Sequence, residues 1–106
     1  MRESGLLSAP LPVELGGRGA SISELSGVAR ALGAVCSNAA MVFAMHHTQS
    51  LTLRWWGRGE DTIDLVRDVA RNESLFASAT TEITTGGDVR TSTCAVETDG
   101  ATIRLE

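Results

Sequence analysis

The spacing of apolar residues changes its period part-way along this chain, and that change limits the possible folds more than any other feature. From residue 21 to residue 73, apolar positions recur every three or four residues, as on one face of an α-helix. From residue 75 onward, small and β-branched residues dominate and polar and apolar positions tend to alternate, which is typical of strands. Helices followed by strands indicate an α+β chain. We expect part of a helical bundle over residues 1–74, and the first strands of an incomplete antiparallel β-domain over residues 75–106.

Three helices are expected in the first part. The first begins near Ser21, whose side chain can form a capping box with the glutamate three positions later. The second runs from about residue 39 to residue 56, with Ser37 or Asn38 as its cap. The third begins near Glu60, where acidic side chains favour a helix N-terminus.

The second helix is apolar all round in its first half, over residues 39–45. A helix of this kind is usually surrounded by other elements, so we expect further helices around it. The positions expected to be least accessible are Met41, Phe43, Ala44 and Leu51. The apolar run is far shorter than the roughly 20 residues that cross a bilayer, so no membrane span is expected.

Strands are expected over residues 75–81 and 91–98, and a third over residues 102–105. The pair Asp99-Gly100 is typical of a two-residue hairpin turn and would join the last two. Two or three strands make no independently stable sheet, which is why this β-region is expected to be incomplete.

Charge and cysteine content exclude several classes of function. All nine basic residues are arginines spread along the chain, against 13 acidic residues, and the net charge is -4. This is not the surface of a nucleic-acid-binding or anionic-membrane-binding protein. Cys36 and Cys94 lie far apart without metal-ligand spacing, so two buried free thiols are expected. The first residues lack the apolar stretch of an export signal, so a cytoplasmic location is the default expectation.

Two pairs of adjacent residues, two histidines and two tryptophans, are candidates for binding roles, but packing is the favoured interpretation of both. His46 and His47 are adjacent, so on a helix they diverge by about 100° and cannot share one metal ion. A packed or hydrogen-bonding histidine is the better interpretation. Trp55 and Trp56 are expected to pack, one inward and one partly exposed. No metal site and no catalytic residue can be assigned.

The segment from residue 76 to residue 88 is the most informative for function. It reads Phe76-Ala77-Ser78-Ala79-Thr80-Thr81-Glu82, and Thr85-Gly86-Gly87-Asp88 follows. Small residues let a backbone lie close to a flat ligand, hydroxyls supply hydrogen bonds, and successive glycines can direct N–H groups at an anion. Taken alone, the pattern also suits a plain strand and loop.

Five blocks together, in order and spacing, resemble the acyl-CoA dehydrogenase family. The blocks are Glu3-Ser4-Gly5-Leu6-Leu7, Pro10-Leu11-Pro12, Glu14-Leu15-Gly16-Gly17-Arg18-Gly19, the helical His46, and residues 76–88. The resemblance implies that residues 1–74 are part of the N-terminal helical domain and residues 75–106 the start of the middle β-domain. It also implies FAD as cofactor and, in the intact parent, oxidation of acyl-CoA to 2,3-enoyl-CoA in fatty acid metabolism.

Site residues follow from the resemblance by position. Thr81 is similar to the family threonine whose hydroxyl contacts the pyrimidine edge of the flavin, and the backbone of Ser78 and Thr80 would line that ring. Gly87 falls where many members have a serine that contacts the acyl-CoA or the flavin phosphates, and is the candidate substrate-binding position. The family's glutamate base lies in a C-terminal domain, so no catalytic residue is assigned here. Implied partners of the parent are acyl-CoA, an electron-transfer flavoprotein and further copies of itself.

Two alternatives remain open. Ile83-Thr84-Thr85 replaces the family's usual Pro-Gly-Ala, and Gly87 lacks a hydroxyl, which argues against a CoA thioester as substrate. The first alternative is therefore an acyl-CoA dehydrogenase-like flavin monooxygenase, which shares the fold that the resemblance implies. The other alternative is a non-catalytic remnant whose helices dock on a partner. The chain alone is expected neither to bind FAD tightly nor to dehydrogenate acyl-CoA, because only one wall of the flavin site is present.

Overall fold

The computed structural model describes residues 1–79, 81–82, 91–100 and 102–105. Two short 3-10 turns, Arg2–Ser4 and Val13–Leu15, precede three α-helices. The helices are α1 (Ile22–Val35), α2 (Ser37–Trp56) and α3 (Glu60–Asn72), and the strands β1 (Val96–Asp99) and β2 (Thr102–Leu105) follow them. The strands pair antiparallel. This arrangement confirms the predicted fold class, a helical portion followed by the start of a β-region.

Helix α1 begins as its sequence predicts, whereas α2 does not. The Glu24 N–H donates to Ser21 Oγ over 3.3 Å, and the Ser21 N–H donates to Glu24 Oε2 over 2.8 Å, which completes the capping box. Helix α2 follows after the single extended residue Cys36, and no side chain caps it. The expected cap by Ser37 or Asn38 is therefore wrong, because both residues already belong to the helix.

The N-terminal loop packs closely against itself and then against the helices. Gly16 ends the second short turn with φ 97°, a left-handed conformation that favours glycine. A Cβ atom at Gly17 would lie 2.1 Å from the Leu11 carbonyl oxygen, so this position admits no side chain without a backbone shift. Both glycines are therefore required by the geometry of the loop.

Two small apolar clusters form the core, and the N-terminal loop contributes to both. Ala9 packs with Leu25 of α1 and Phe43 of α2. Leu11 packs with Val66 and Val69 of α3. Residues 9–11 therefore join α3 to the α1–α2 pair.

Burial of α2 is more one-sided than its sequence indicates. Phe43 is 1% exposed and Leu51 is partly buried, but Met41 is 63% exposed and Ala44 is also exposed. The prediction is wrong for Met41 and Ala44, because described elements cover the helix on one side only. The remaining apolar surface of α2, with Met45 also exposed, is open within the part of the chain that the structure describes.

The strand expected over residues 75–81 is not formed at residues 75–79 or 81. A strand requires a neighbouring strand to satisfy its backbone, and here the Phe76 N–H donates to a side chain of α2 instead. The hairpin turn is displaced by one residue from its expected place. Asp99 pairs with Thr102 as the last residue of β1, and Gly100, with φ 57°, lies in the turn.

Two further expectations about burial are wrong. Cys36 is exposed and Cys94 is partly exposed, so the thiols are not buried. Trp55 and Trp56 are 49% and 74% exposed, because neither side chain packs against the two apolar clusters formed by the described residues. In the part of the chain that the structure describes, no helix has the length and apolar character needed to cross a membrane.

Candidate functional site

A fully buried histidine in the middle of α2 connects three segments of the chain. His46 is 0% exposed. Its Nδ1 lies 3.0 Å from the backbone nitrogen of Phe76, and its Nε2 lies 2.8 Å from the carbonyl oxygen of Leu7. A peptide N–H can only donate and a carbonyl can only accept, so Nδ1 carries no proton and Nε2 carries one. The geometry therefore assigns His46 as the neutral Nε2–H tautomer, a hydrogen-bonding histidine as expected.

Two further contacts hold the His46 ring in place, one from Ser50 on the same helix and one from the ring of Phe76. The Ser50 hydroxyl donates to the His46 carbonyl over 3.1 Å and lies 3.3 Å from His46 Nε2. The ring of Phe76 stacks on the His46 imidazole with 5.4 Å between ring centroids and 20° between planes. Both the backbone and the side chain of Phe76 are thus fixed against His46. We call His46, Leu7, Glu73 and Phe76 the polar junction.

Glu73 holds the other side of Leu7. Its carboxylate accepts a hydrogen bond from the Leu7 N–H over 2.9 Å and another from the Ser8 hydroxyl. Glu73 follows the last residue of α3 and has φ 47°, a left-handed conformation that is uncommon outside glycine. Leu7 is consequently bonded through its N–H to the end of α3 and through its carbonyl to the middle of α2.

The predicted flavin-contacting segment continues directly from the polar junction. Ser78 is exposed, and its hydroxyl accepts a hydrogen bond from Gln49 Nε2 over 3.0 Å. Thr81 is exposed as well. Thr80 and Gly87 lie outside the described residues. The binding roles of Ser78, Thr80, Thr81 and Gly87 stay predictions.

His47, the neighbour of His46, was not singled out for a role by sequence reasoning and has an unusual environment. It is 3% exposed, and within the described part of the chain neither ring nitrogen has a hydrogen-bond partner. Its ring lies edge-on to Phe43 with centroids 4.1 Å apart, in the wall of a groove of about 210 Å³ between α1 and α2.

The pKa of His47 is lowered to about 4, mainly by burial and also by the proximity of His46. The backbone of Leu6 and the charge of Glu73 partly oppose this shift. His47 is therefore neutral at physiological pH. The sequence feature that could have indicated the burial of His47 is its position next to His46 in an apolar helix. Two adjacent residues lie about 100° apart around the helix axis, so both can belong to one wide buried face.

Comparison with known families decides the relationship of this chain. A family model described as "Acyl-CoA dehydrogenase, N-terminal domain" matches residues 1–73. The chain belongs to the acyl-CoA dehydrogenase family. The resemblance drawn from the five sequence blocks is thereby confirmed. The match contains three members of the polar junction, Leu7, His46 and Glu73, and Phe76 follows three residues after its end. The division into two domains near residue 74 stays a prediction.

A curated relative is named for monooxygenation rather than for dehydrogenation of acyl-CoA. The chain is 34% identical over 79 residues to the "Probable FMNH2-dependent monooxygenase SfnC" of Pseudomonas putida. The matched part is 74% of this chain but 20% of that protein, so the chain spans about a fifth of the length of this relative. No solved structure matches the chain significantly.

Proposed function

We propose that this acyl-CoA dehydrogenase family chain forms one wall of the flavin site of a flavin-dependent oxidoreductase. The observation that carries the proposal is the polar junction, which fixes the backbone of residue 76 on α2 immediately before the segment that resembles the family's flavin-contacting stretch. A flavin site requires a backbone held in one place, because loose segments must be ordered at the expense of affinity.

The described residues that follow Phe76 are suited to contact one side of a flat ligand. Ala77 and Ala79 have the smallest side chains apart from glycine, Ser78 and Thr81 carry hydroxyls, and all four are exposed. A flavin ring could approach such a backbone closely and receive hydrogen bonds along one edge. Ser78, Thr80 and Thr81 are the residues that would hold it, and the flavin would supply the redox chemistry. The chain's own contribution is binding and orientation, and the described residues contain no cluster of metal ligands.

For the reaction, monooxygenation with reduced FMN is favoured over dehydrogenation of acyl-CoA with FAD. The relative from Pseudomonas putida, named as an FMNH2-dependent monooxygenase, supports this choice. The sequence Ile83-Thr84-Thr85 in place of Pro-Gly-Ala, together with the missing hydroxyl at Gly87, weighs against a CoA thioester as substrate.

Dehydrogenation remains the second candidate, because the family match covers residues 1–73. In that case FAD would be the cofactor, acyl-CoA the substrate contacting Gly87, and an electron-transfer flavoprotein the electron acceptor, in a homo-oligomeric parent. A non-catalytic interaction fragment is the third candidate, and it would bind no flavin.

Flavin titration separates these candidates. FMN, reduced FMN and FAD would be titrated into the full-length protein that carries this sequence and, separately, into the 106-residue chain. We expect micromolar or tighter flavin binding by the full-length protein only. Consumption of oxygen by the reduced-FMN complex with an added organic substrate would support monooxygenation, whereas bleaching of bound FAD by acyl-CoA without oxygen would support dehydrogenation.

The Thr81→Val substitution tests the residue assignment in the full-length protein. It removes one hydroxyl and keeps the side-chain shape, so flavin binding should weaken roughly 3- to 10-fold, the usual worth of one hydrogen bond. Thr98→Val, at an exposed position of β1, is the matched control and should bind flavin like the unmodified protein. Equal flavin affinity in both variants would contradict the assignment of Thr81, and absence of flavin binding by the unmodified protein would contradict the proposed function as a whole.

A further inference from the structure

We propose that His46 is a positioning residue whose neutral form holds the segment beginning at Phe76 on α2, and whose protonation releases that segment. The link to the cofactor rests on the proposed function, because it requires that residues 78–81 contact flavin. The positioning itself does not, and it can be tested on the 106-residue chain alone.

The proton on each ring nitrogen is dictated by its partner. His46 Nδ1 faces the Phe76 N–H at 3.0 Å, which requires a bare nitrogen, and Nε2 faces the Leu7 carbonyl at 2.8 Å, which requires a protonated one. An imidazolium carries a proton on both nitrogens. Protonation would therefore keep the bond to Leu7 but place two N–H groups against each other at Phe76. The Phe76 N–H would lose its acceptor, and the backbone there would have to move.

The segment after Phe76 is attached to α2 at the exposed Ser78, and farther along Glu82 accepts hydrogen bonds from Ser92 and Thr93. Residues 77–79 are exposed and form no strand ladder, and Ser78 is bonded to Gln49 at an exposed position. The ring of Phe76 also packs beside the cluster of Leu11, Val66 and Val69. Loss of the backbone bond should thus leave the ring packed and redirect the exposed residues that follow.

The groups around His46 come from all of the packed elements. On α2 the titratable neighbour is His47, with 4.9 Å between ring centroids. At the end of α3 it is Glu73, whose carboxylate is bonded to the Leu7 N–H and the Ser8 hydroxyl. The N-terminal loop presents Leu7, and the segment after α3 presents Phe76; neither side chain titrates. The experiment must therefore distinguish protonation of His46 from protonation of His47 or Glu73 as the cause of a response to acid at Phe76.

Amide hydrogen exchange measured by NMR tests the proposal. Once His46 is protonated in acid, the protection factor of the Phe76 amide, corrected for the intrinsic exchange rate, should be roughly 3- to 10-fold lower than at pH 7.5, the usual worth of one hydrogen bond. The Leu25 amide, which is bonded to the Ser21 carbonyl in α1, is the internal reference and should change less. Nitrogen chemical shifts of the His46 ring should show the Nε2–H tautomer at pH 7.5.

Three variants separate the two ring nitrogens and the two histidines. His46→Asn places an amide oxygen near the position of Nδ1, so Phe76 should stay protected without any response to acid. His46→Gln places its amide near Nε2, so Phe76 should lose protection at every pH. His47→Leu should retain the response of the unmodified chain.

Three results would overturn the proposal: an Nδ1–H tautomer at neutral pH, a Phe76 protection factor indifferent to acid, or a response that disappears in His47→Leu. If a His46 variant does not fold, the tautomer and the His47→Leu chain still decide the matter. In the full-length protein, flavin affinity should fall in acid and should do so less in His46→Asn. Equal pH dependence of flavin affinity in both proteins would overturn the link to flavin, and absence of flavin binding at any pH would count against the proposed function rather than the positioning role.

Discussion

Lowering the pH from 7 to 4 should destabilise the folded chain through His47. This histidine is 3% exposed and, within the described residues, makes no hydrogen bond through its ring nitrogens. Burial lowers its pKa from 6.5 to about 4. In the unfolded chain the ring takes up a proton below about pH 6.5, whereas in the folded chain it resists until about pH 4. The stabilisation is therefore complete above pH 6.5 and is lost progressively as the pH falls toward 4.

The size of this effect follows from the pKa difference. One pKa unit corresponds to about 1.36 kcal/mol, so His47 should account for a loss of roughly 3 kcal/mol in the free energy of unfolding. A domain of ordinary stability has roughly 5–15 kcal/mol in total, so the loss should be conspicuous.

Urea denaturation followed by circular dichroism at pH 7, 6, 5 and 4 measures it. His47→Leu should reduce the decline between pH 7 and pH 4 by roughly 3 kcal/mol. At pH 7 the variant should be at least as stable as the unmodified chain, because it removes a buried polar group without a partner. Met45→Leu, at an exposed position of α2 that does not titrate, is the control and should leave the decline unchanged. An undiminished decline in His47→Leu would refute the reasoning, and so would a clear loss of stability at pH 7.

Two further predictions concern the N-terminal loop. Gly17→Ala should cost more than about 2 kcal/mol, because its Cβ would meet the Leu11 carbonyl oxygen, whereas Gly27→Ala in α1, with no atom within 4 Å of the added Cβ, should stabilise by about 0.5–1 kcal/mol. Equal thermal unfolding midpoints for the Gly17→Ala and Gly27→Ala variants would contradict this prediction. Glu73→Ala should cost about 1.5–3 kcal/mol by removing charged acceptors from the Leu7 N–H and the Ser8 hydroxyl, and Glu73→Gln should cost less. Urea denaturation would show it, and a harmless Glu73→Ala would mean that the carboxylate does not hold the loop.

Local signals predicted the helices well. The capping box of Ser21 and the acidic first turn of α3 act over three or four residues, so one sequence contains all the information needed. Burial of α2 was predicted less well, because it depends on what packs against the helix. Met41 and Phe43 are both apolar, yet only Phe43 faces the N-terminal loop and α1.

The candidate site shows the same division between local and long-range information. That His46 would be packed or hydrogen-bonded follows from an imidazole in an apolar helix. Its partners lie 39 residues earlier and 30 residues later, and no local pattern identifies them. The strand expected over residues 75–81 is not formed at residues 75–79 or 81 for the same reason. A strand depends on a distant partner, and the Phe76 N–H is bonded to a side chain of α2 instead.

The polar junction also gives a physical reason why a block at the start of the chain accompanies the segment after residue 75. Leu7 belongs to the block Glu3-Ser4-Gly5-Leu6-Leu7, far in sequence from Ser78 and Thr81. Its N–H is bonded to Glu73 and its carbonyl to His46, whose other nitrogen accepts from Phe76. A change in the path of the N-terminal loop would move the Leu7 carbonyl and rotate the His46 ring away from Phe76. We infer that the loop supports the proposed flavin wall through one histidine.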